Sequence, residues 1–371
     1  MSADLIPVSV LTGFLGSGKT TILRHLLRQP EFCRTAVIIN EFGDVGLDHE
    51  LIEASEDSFI ELQTGCLCCK VRTDLAQTLA ELLHRRDDGR CTPFDRIVIE
   101  TSGLADPAPI LQTLMTDTAI ADRLVLGGVV TTVDAVNGTA TLEREGISQK
   151  QVAVADRIVL TKSDLPGVAQ PALLRCLAEF NAGAPVLIAD HGLIDPLLVF
   201  NAGLYDPQTK SADVNAWLAE EGHGHAHARH DADIKAYAIV RAEPIRAVAL
   251  TLFLEALAEH CGDDILRLKG IVNILESPDR PAVIHGVQHV FHPPAWLDRW
   301  PSDDRRSRIV LITRRVPQGW VEVLLEAIGE EVDQAGSETS SGVRQADHSS
   351  VSRDRPRHDR ASGPARCARR S

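Results

Sequence analysis

Short runs of apolar, mostly β-branched residues alternate with longer stretches of helical periodicity through the first half of the chain. These runs cover residues 8–11, 36–39, 97–99, 125–133, 158–160 and 186–189. Short buried strands that alternate with helices are typical of a doubly wound α/β fold with a mostly parallel sheet. Ligands of such folds bind at the carboxyl ends of the strands.

The pattern changes after residue 200. Residues 222–231 consist mainly of histidine, glycine and alanine, a composition that no packed core requires, which predicts a linker. Strand-like and helix-like runs then resume and predict a second, smaller α+β domain, whereas the last residues are polar, arginine-rich and nearly free of large apolar side chains, which predicts disorder. The predicted boundaries are 1–200 for the α/β domain, 201–232 for the linker, 233–332 for the C-terminal domain and 333–371 for the tail.

Composition narrows the classes of partner. The 371 residues carry a formal net charge of −14, which disfavours binding to a phosphate backbone, so no nucleic-acid partner is expected. No apolar segment is long enough to predict a membrane span, and no basic stretch precedes the apolar run at residues 6–15. Three of the eight cysteines crowd between residues 66 and 69, unlike a secreted disulfide framework. A cytoplasmic protein with reduced thiols is expected.

A phosphate-binding motif lies between the first predicted strand and the following helix. Residues 13–20 read Gly-Phe-Leu-Gly-Ser-Gly-Lys-Thr, which fits the P-loop spacing. The glycines allow backbone N–H groups to surround phosphate oxygens, Lys19 can reach the β and γ phosphates, and the Thr20 hydroxyl can bind Mg²⁺. The predicted nucleotide-binding residues of this motif are Gly13, Gly16, Ser17, Gly18, Lys19, Thr20 and Thr21.

A second motif follows the strand at residues 96–100. Glu100 at its end can hold Mg²⁺, and the backbone N–H of Gly103 can sense the γ-phosphate. The alternative is that Glu100 is a solvated acid at a strand end. Lys19, Thr20 and Glu100 are therefore the predicted catalytic residues. Leu104 occupies the position where many GTPases have the glutamine that orients the attacking water, which predicts slow intrinsic hydrolysis.

A third motif, Thr161-Lys162-Ser163-Asp164, follows the strand at residues 158–160 and predicts recognition of the base. A carboxylate such as Asp164 accepts two hydrogen bonds from guanine N1–H and its 2-amino group, whereas adenine offers no matching pair of donors. Thr161 stands where asparagine is usual. The alternative for Lys162 and Asp164 is an ordinary surface turn.

The thiol cluster is the most unusual part of the sequence. Cys66, Cys68 and Cys69 are soft, strong ligands for Zn²⁺ or Cu(I), and the neighbouring Lys70 and Arg72 favour the thiolate form. Three local ligands without a second cysteine pair leave a fourth position open, which suits a metal that must be released. A redox thiol cluster and a structural zinc site completed by a distant histidine are the alternatives.

Two further segments offer metal ligands. Glu41, Asp44 and His49 lie in the loop after the second strand, where they can complete the metal shell or sense the γ-phosphate; the alternative is a solvated acidic loop. The histidine-rich stretch can collect divalent ions weakly or act only as a flexible linker. Its histidines are His223, His225, His227 and His230.

The order of these motifs resembles that of the CobW family of P-loop GTPase metallochaperones. The resemblance rests on residues 13–21, 39–43, 65–69, 100–107 and 161–164 and extends from residue 5 to about 330, with residues 266–270 and Trp296 resembling the family's C-terminal domain. Asp44 replaces the glutamate often found there. The resemblance implies Mg²⁺-dependent hydrolysis of GTP, a metal carried by the three cysteines, and release to a client metalloprotein that contacts the C-terminal domain.

The metal and the class of activity stay open at this point. Zn²⁺ is predicted because thiolate and imidazole ligands suit it, and Co²⁺ is the alternative, for cobalamin biosynthesis or nitrile hydratase activation. A passive metal-buffering protein and a P-loop kinase acting on a small molecule are the other hypotheses. The metallochaperone hypothesis requires GTP hydrolysis that is coupled to metal loading, whereas the buffer and kinase hypotheses do not.

Overall fold

The computed structural model of the chain describes residues 5–40, 59–61, 70–165, 170–200 and 234–346. Two sheets organise these residues, one in each domain. The thiol cluster, the loop at 41–49, the histidine-rich stretch and residues 347–371 lie outside the described residues.

The first domain is built on a seven-stranded parallel sheet with the order β3-β2-β4-β1-β5-β6-β7. In chain order its elements are β1 (Ile6–Gly13), α1 (Lys19–Leu27), β2 (Thr35–Asn40), β3 (Phe59–Glu61), α2 (Lys70–Asp87), β4 (Arg96–Thr101), α3 (Ala108–Thr116), β5 (Leu124–Asp134), α4 (Gly138–Arg144), α5 (Gly146–Ala153), β6 (Arg157–Thr161), α6 (Gln170–Asn181), β7 (Val186–Ile188) and α7 (Pro196–Phe200).

Helices cover both faces of this sheet. Ile97 and Ile99 of β4 pack into the cluster that contains α2 and α3, whereas Val98 between them packs into the cluster that contains α1 and α7. Because alternate strand residues point to opposite faces, a continuous apolar run is what a strand covered on both sides requires. The predicted doubly wound α/β fold is thereby confirmed.

The second domain is a six-stranded antiparallel sheet covered by two helices. Its elements are β8 (Ile234–Arg241), α8 (Ala247–Cys261), β9 (Ile265–Val272), β10 (Ala282–Val287), β11 (Val290–Phe291), β12 (Ala295–Trp296), β13 (Ser307–Arg314) and α9 (Gln318–Ala346). Five strands follow the order β11-β10-β9-β13-β8, and β12 pairs with β10. Phe253 and Leu257 of α8 and Val321 and Leu325 of α9 are buried in one core with the sheet, as an α+β domain requires.

The C-terminal helix differs from the composition-based prediction. The polar composition predicts disorder from residue 333, but α9 continues to Ala346. Val332 packs against the domain core, and Asp333 forms an ion pair with Arg246 at 2.5 Å. A helix that is already packed extends at low cost, since propagation adds one hydrogen bond for each residue ordered.

The two domains contact each other along one side of the first sheet. Helix α3 meets β10 and β11, α5 meets β9, and α6 meets β8. Gln112 of α3 donates a hydrogen bond to Gln288 at 2.7 Å, and Asp156 forms ion pairs with Arg267 and Lys269. Among the described residues, no helix is both long and apolar enough to span a membrane.

Candidate functional site

The loop between β1 and α1 has the backbone that a phosphate cradle needs. Gly13, Gly16 and Gly18 all adopt positive φ, at 141°, 72° and 89°. A Cβ on Gly13 would lie 2.4 Å from the backbone oxygen of Thr132, so only glycine fits there. Helix α1 begins directly after the loop, and the N–H groups of its first turn are therefore available to an anion.

Lys19 lies across this loop. Its side chain is buried, and Nζ donates hydrogen bonds to the backbone oxygens of Gly13 at 3.0 Å and Phe14 at 3.4 Å. An ammonium group held by carbonyl oxygens at this position can exchange them for phosphate oxygens. The structure therefore places Lys19 where the motif predicts it.

The two predicted magnesium ligands are brought together. Thr20 Oγ1 donates a 2.7 Å hydrogen bond to Glu100 Oε1, and Glu100 is only 1% exposed at the carboxyl end of β4. A hydroxyl and a carboxylate are hard oxygen donors of the kind that Mg²⁺ prefers. Burial contradicts the alternative that Glu100 is a solvated acid.

The loop that follows β4 packs directly on the phosphate loop. A Cβ on Gly103 would lie 2.7 Å from Leu15 Cδ2 and 2.8 Å from the Leu15 backbone. Below this contact, Thr101 Oγ1 donates to Thr12 Oγ1 at 2.8 Å. The backbone N–H of Gly103 is therefore close to the P-loop, as a γ-phosphate sensor must be.

A buried glutamine binds the backbone of the loop that follows β4. Gln151 Nε2 of α5 donates to the backbone oxygens of Gly103 at 3.2 Å and Ala105 at 3.1 Å. Sequence reasoning missed Gln151, because it belongs to no motif and lies 48 residues from Gly103. No signal in a single sequence identifies such a residue.

The third motif, residues 161–164, contacts both the P-loop and the end of β5. Thr161 Oγ1 donates to the Ser17 backbone oxygen at 2.8 Å, and Lys162 Nζ forms an ion pair with Asp134 Oδ2 at 2.8 Å. Burial alone would raise the pKa of Asp134, but hydrogen bonds from Lys162, Asn137 and backbone N–H groups outweigh burial and lower it. Asp134 is thus an ionised partner that orients Lys162.

Asp164 faces a loop that the sequence motifs did not predict. Its carboxylate Oδ2 lies 3.1 Å from Nδ1 of His191, whose side chain is 73% exposed. The loop after β7 is closed by backbone hydrogen bonds between Asp190 and Leu193, and Ser163 Oγ donates to the Ala189 backbone oxygen at 3.1 Å. The position of this loop could have indicated His191, because the loop follows a predicted parallel strand and lies at the same sheet edge as the P-loop.

The remaining predicted ligands are not placed. Cys66, Cys68, Cys69 and Glu41 lie outside the described residues. Their neighbours are described: β3 pairs in parallel with β2 and ends at Glu61, and α2 begins at Lys70. Because the strands are parallel, β3 ends at the sheet edge that carries the P-loop.

Comparisons with known proteins agree with this arrangement. Residues 7–188 match the family model described as "CobW/HypB/UreG, nucleotide-binding domain", and residues 234–329 match the "Cobalamin synthesis protein cobW C-terminal domain". The zinc chaperone YjiA of Escherichia coli is 36% identical over 319 residues, which cover 84% of this chain and 95% of that protein. The zinc chaperone CobW of Pseudomonas aeruginosa is 33% identical, over 84% of this chain and 88% of its own.

Solved structures show the same likeness over both domains. The crystal structure of Zn(II)-bound YjiA GTPase from Escherichia coli superposes with a TM-score of 0.65 at 30% sequence identity. The superposition covers 88% of this chain and 99% of that structure. The P-loop domain and the C-terminal domain are therefore both shared with that protein.

Proposed function

The chain belongs to the CobW family, and from that premise we propose that it is a GTP-hydrolysing metallochaperone that carries Zn²⁺ on Cys66, Cys68 and Cys69 to a client metalloprotein. The observation that carries the GTPase part is the 2.7 Å contact between Thr20 and the buried Glu100, beside Lys19 in the P-loop. Relatives named zinc chaperones support the metal.

Each residue of the site has a role in this proposal. Lys19 and the backbone N–H groups of the loop bind the β and γ phosphates and stabilise the charge that develops on them. Thr20 and Glu100 would hold Mg²⁺, which supplies further positive charge at the phosphates when bound. Gly103 senses whether the γ-phosphate is present.

Base recognition is assigned to Asp164. One of its oxygens lies 3.1 Å from His191 Nδ1, and lone pairs remain for the two donors of guanine, since an ionised carboxylate offers about four acceptor sites. Thr161 and Lys162 fix this segment against the P-loop and Asp134. These contacts support guanine over adenine.

Intrinsic turnover is expected to be slow. Leu104 follows Gly103 and is 57% exposed, and an apolar side chain cannot orient an attacking water. We expect the rate to rise when the metal or the client is bound. A fast rate that neither of them changes would contradict this part of the proposal.

The metal part of the proposal relies on chain connectivity. The cysteines lie between β3, which ends at the nucleotide edge of the sheet, and the start of α2. Strand β2 also ends at this edge, one residue before Glu41 in the chain, so nucleotide-dependent movement at this edge can change metal affinity. Co²⁺ is the alternative cargo. Thiolate ligands require a reducing compartment, which supports a cytoplasmic location.

Metal affinity in each nucleotide state tests the function. Competition titration with Zn²⁺ and Co²⁺ should show tight binding in the presence of GTP, weaker binding with GDP, and loss of the difference when Cys66, Cys68 and Cys69 are all changed to serine. Cys33→Ser and Cys91→Ser are matched thiol controls in the described part of the chain and should change nothing. Metal affinity that ignores the nucleotide would instead indicate a passive buffer.

GTP hydrolysis is tested by substitutions at the two ends of β4. Glu100→Gln should lower GTP turnover by about 100-fold or more, because it removes the charge that the magnesium site requires. Asp95→Asn is the control, since Asp95 precedes the opposite end of β4 and forms an exposed ion pair with Arg34. Transfer of the γ-phosphate to a small molecule in place of water would indicate a kinase.

A further inference from the structure

We propose that helix α5 couples the C-terminal domain to the γ-phosphate-sensing loop. Gln151 is the positioning residue for that loop, and Arg267 anchors the end of the helix to the C-terminal domain. The sensing loop is defined as residues 103–106. This inference rests on the proposed GTPase function and adds a route by which a molecule bound to the C-terminal domain changes hydrolysis.

At one end, two consecutive residues of α5 hold the sensing loop. Gln151 is fully buried, and its Nε2 donates to the oxygens of Gly103 and Ala105, while Lys150 forms an ion pair with Asp106 at 2.6 Å. Two carbonyl acceptors fix the orientation of the amide. The Gln151 Oε1 atom is buried, and no described residue donates a hydrogen bond to it.

That amide oxygen points to a second arrangement of the loop. A buried acceptor without a donor is unfavourable, so an arrangement of the loop that supplies a donor is stabilised at this atom. The N–H groups of the sensing loop are carried on the same segment as the carbonyls that Gln151 already binds. A shift of this loop can therefore exchange carbonyl contacts for an N–H contact on the same side chain.

At its other end, the segment that follows α5 is held by the second domain. Arg267 of β9 donates to the Val154 backbone oxygen and to Asp156, and Lys269 also pairs with Asp156. The side chains of Asp156 and Arg267 are 3% and 9% exposed. Burial would raise the pKa of Asp156, but Arg267 and Lys269 lower it to about 2, which keeps this carboxylate charged.

The connection between the two ends is short and tightly packed. Only Val152 and Ala153 separate Gln151 from Val154, and all three of these apolar residues are buried. Asn181 of α6 braces this segment by donating to the Val152 and Ala155 oxygens, each at 2.9 Å. Packed interiors do not absorb displacements, so movement of β9 against Val154 must also move Gln151.

A second connection runs beside the first. Helix α3 follows the sensing loop, and its buried Gln112 donates to Gln288 in the turn between β10 and β11. Thermodynamic linkage then requires that nucleotide state and binding at the C-terminal domain influence each other equally. Because α3 remains, loss of the α5 connection should weaken the coupling without abolishing it.

Gln151→Met in the full chain is the primary test. Methionine keeps the length of the side chain but removes its amide, so kcat for GTP should fall by about 10-fold or more while GDP affinity stays within about twofold. Gln149→Met is the matched control, since Gln149 lies on the same helix but donates to Leu142. Equal losses in the two variants would overturn the assignment of Gln151.

Arg267→Met tests the interdomain end. It should lower kcat in the same direction by about threefold or more, with the C-terminal domain still folded by circular dichroism. An unchanged kcat in this variant would show that the interface is structural only.

Hydrogen exchange separates this inference from the proposed function, because it needs no turnover. Amides of residues 265–269 in the wild-type chain should exchange at rates that differ by about threefold or more between GDP and a non-hydrolysable GTP analogue, and Gln151→Met should reduce that difference. A wild type that hydrolyses GTP but shows equal exchange defeats the coupling alone. Unequal exchange without hydrolysis defeats the GTPase proposal and leaves the coupling standing.

Discussion

Thr161 stands where many GTPases have asparagine, and its contacts show what the hydroxyl supplies. Its Oγ1 donates to the Ser17 oxygen at 2.8 Å and lies 3.3 Å from the Val133 oxygen, so one short side chain ties the P-loop to β5 and β6. A Cβ on Gly18 would lie 3.2 Å from Thr161 Cγ2. Threonine therefore links the third motif to the P-loop directly.

Asp164→Asn should change the base that the protein prefers. An amide presents a donor where guanine N1–H and its 2-amino group need acceptors, whereas the C2 carbonyl of xanthine can accept from that amide. We expect GTP affinity to fall by about 100-fold or more and the preference to move toward XTP, as measured with fluorescent nucleotides. Asp190→Asn serves as the control, because Asp190 also lies beside His191, at 3.8 Å, but its side chain is 77% exposed. Unchanged GTP affinity in Asp164→Asn would remove Asp164 from the site.

At the scale of elements, the site depends on close packing between two loops, the P-loop and the sensing loop. The P-loop and the sensing loop follow β1 and β4, which are neighbours in the sheet with Leu11 opposite Glu100. Gly103 lies against the backbone of Leu15, where an added Cβ would come within 2.8 Å. Any side chain at residue 103 must therefore push the two loops apart.

Gly103→Ala should separate these loops and reduce hydrolysis. The new methyl group would lie 2.8 Å from backbone atoms of Leu15, and backbone cannot rotate away as a side chain can. We expect GTP turnover to fall by about 10-fold or more, since small misplacements at a reacting centre are costly. Gly146→Ala, where nothing lies within 4 Å of the added carbon, should leave steady-state turnover unchanged. Equal rates in the two variants would contradict the role of the contact.

These elements also show how far sequence reasoning reaches. The strands and the P-loop are predictable because their patterns are local: an apolar run, then glycines, then a helix. Gln151 and His191 are not, because tertiary folding alone brings them to Gly103 and Asp164. Likewise, the apolar pattern of residues 283–291 does not show that they form two strands, because the turn between β10 and β11 depends on Gln288 at a φ of 54°.

On the scale of the whole molecule, the two domains are joined by charge buried between them. Asp156 lies between β5 and β9, accepts the Val129 N–H at 2.8 Å, and pairs with two cations of the second domain. Such a cluster contributes little net stability when complete, but removal of one member leaves charges buried without compensation. The interface therefore favours one relative position of the domains, which the coupling through α5 requires.

Asp156→Asn should destabilise the protein far more than a surface acid does. It leaves Arg267 and Lys269 without their carboxylate, at a cost of about 3 kcal/mol or more in the free energy of unfolding. Asp304 is the matched control, because hydrogen bonds from Arg306 likewise lower its pKa to about 2 although its side chain is 31% exposed. Asp304→Asn should cost about 1 kcal/mol or less, measured by urea unfolding at pH 7.

The Asp156 carboxylate also predicts how the stability of the protein depends on pH in acid. Its pKa of about 2 lies below the ordinary 3.8, so the folded state holds the charged form more strongly than the unfolded state does. Relative to its protonated form, ionised Asp156 stabilises the folded state by about 2 kcal/mol. This contribution is complete above pH 4 and is lost as the pH falls through 2. Wild-type unfolding free energy should therefore decline between pH 4 and pH 2 more steeply than that of Asp156→Asn. Parallel curves for the two proteins would show that Asp156 is not charged in the folded state, and the ionic anchor of α5 would then be lost.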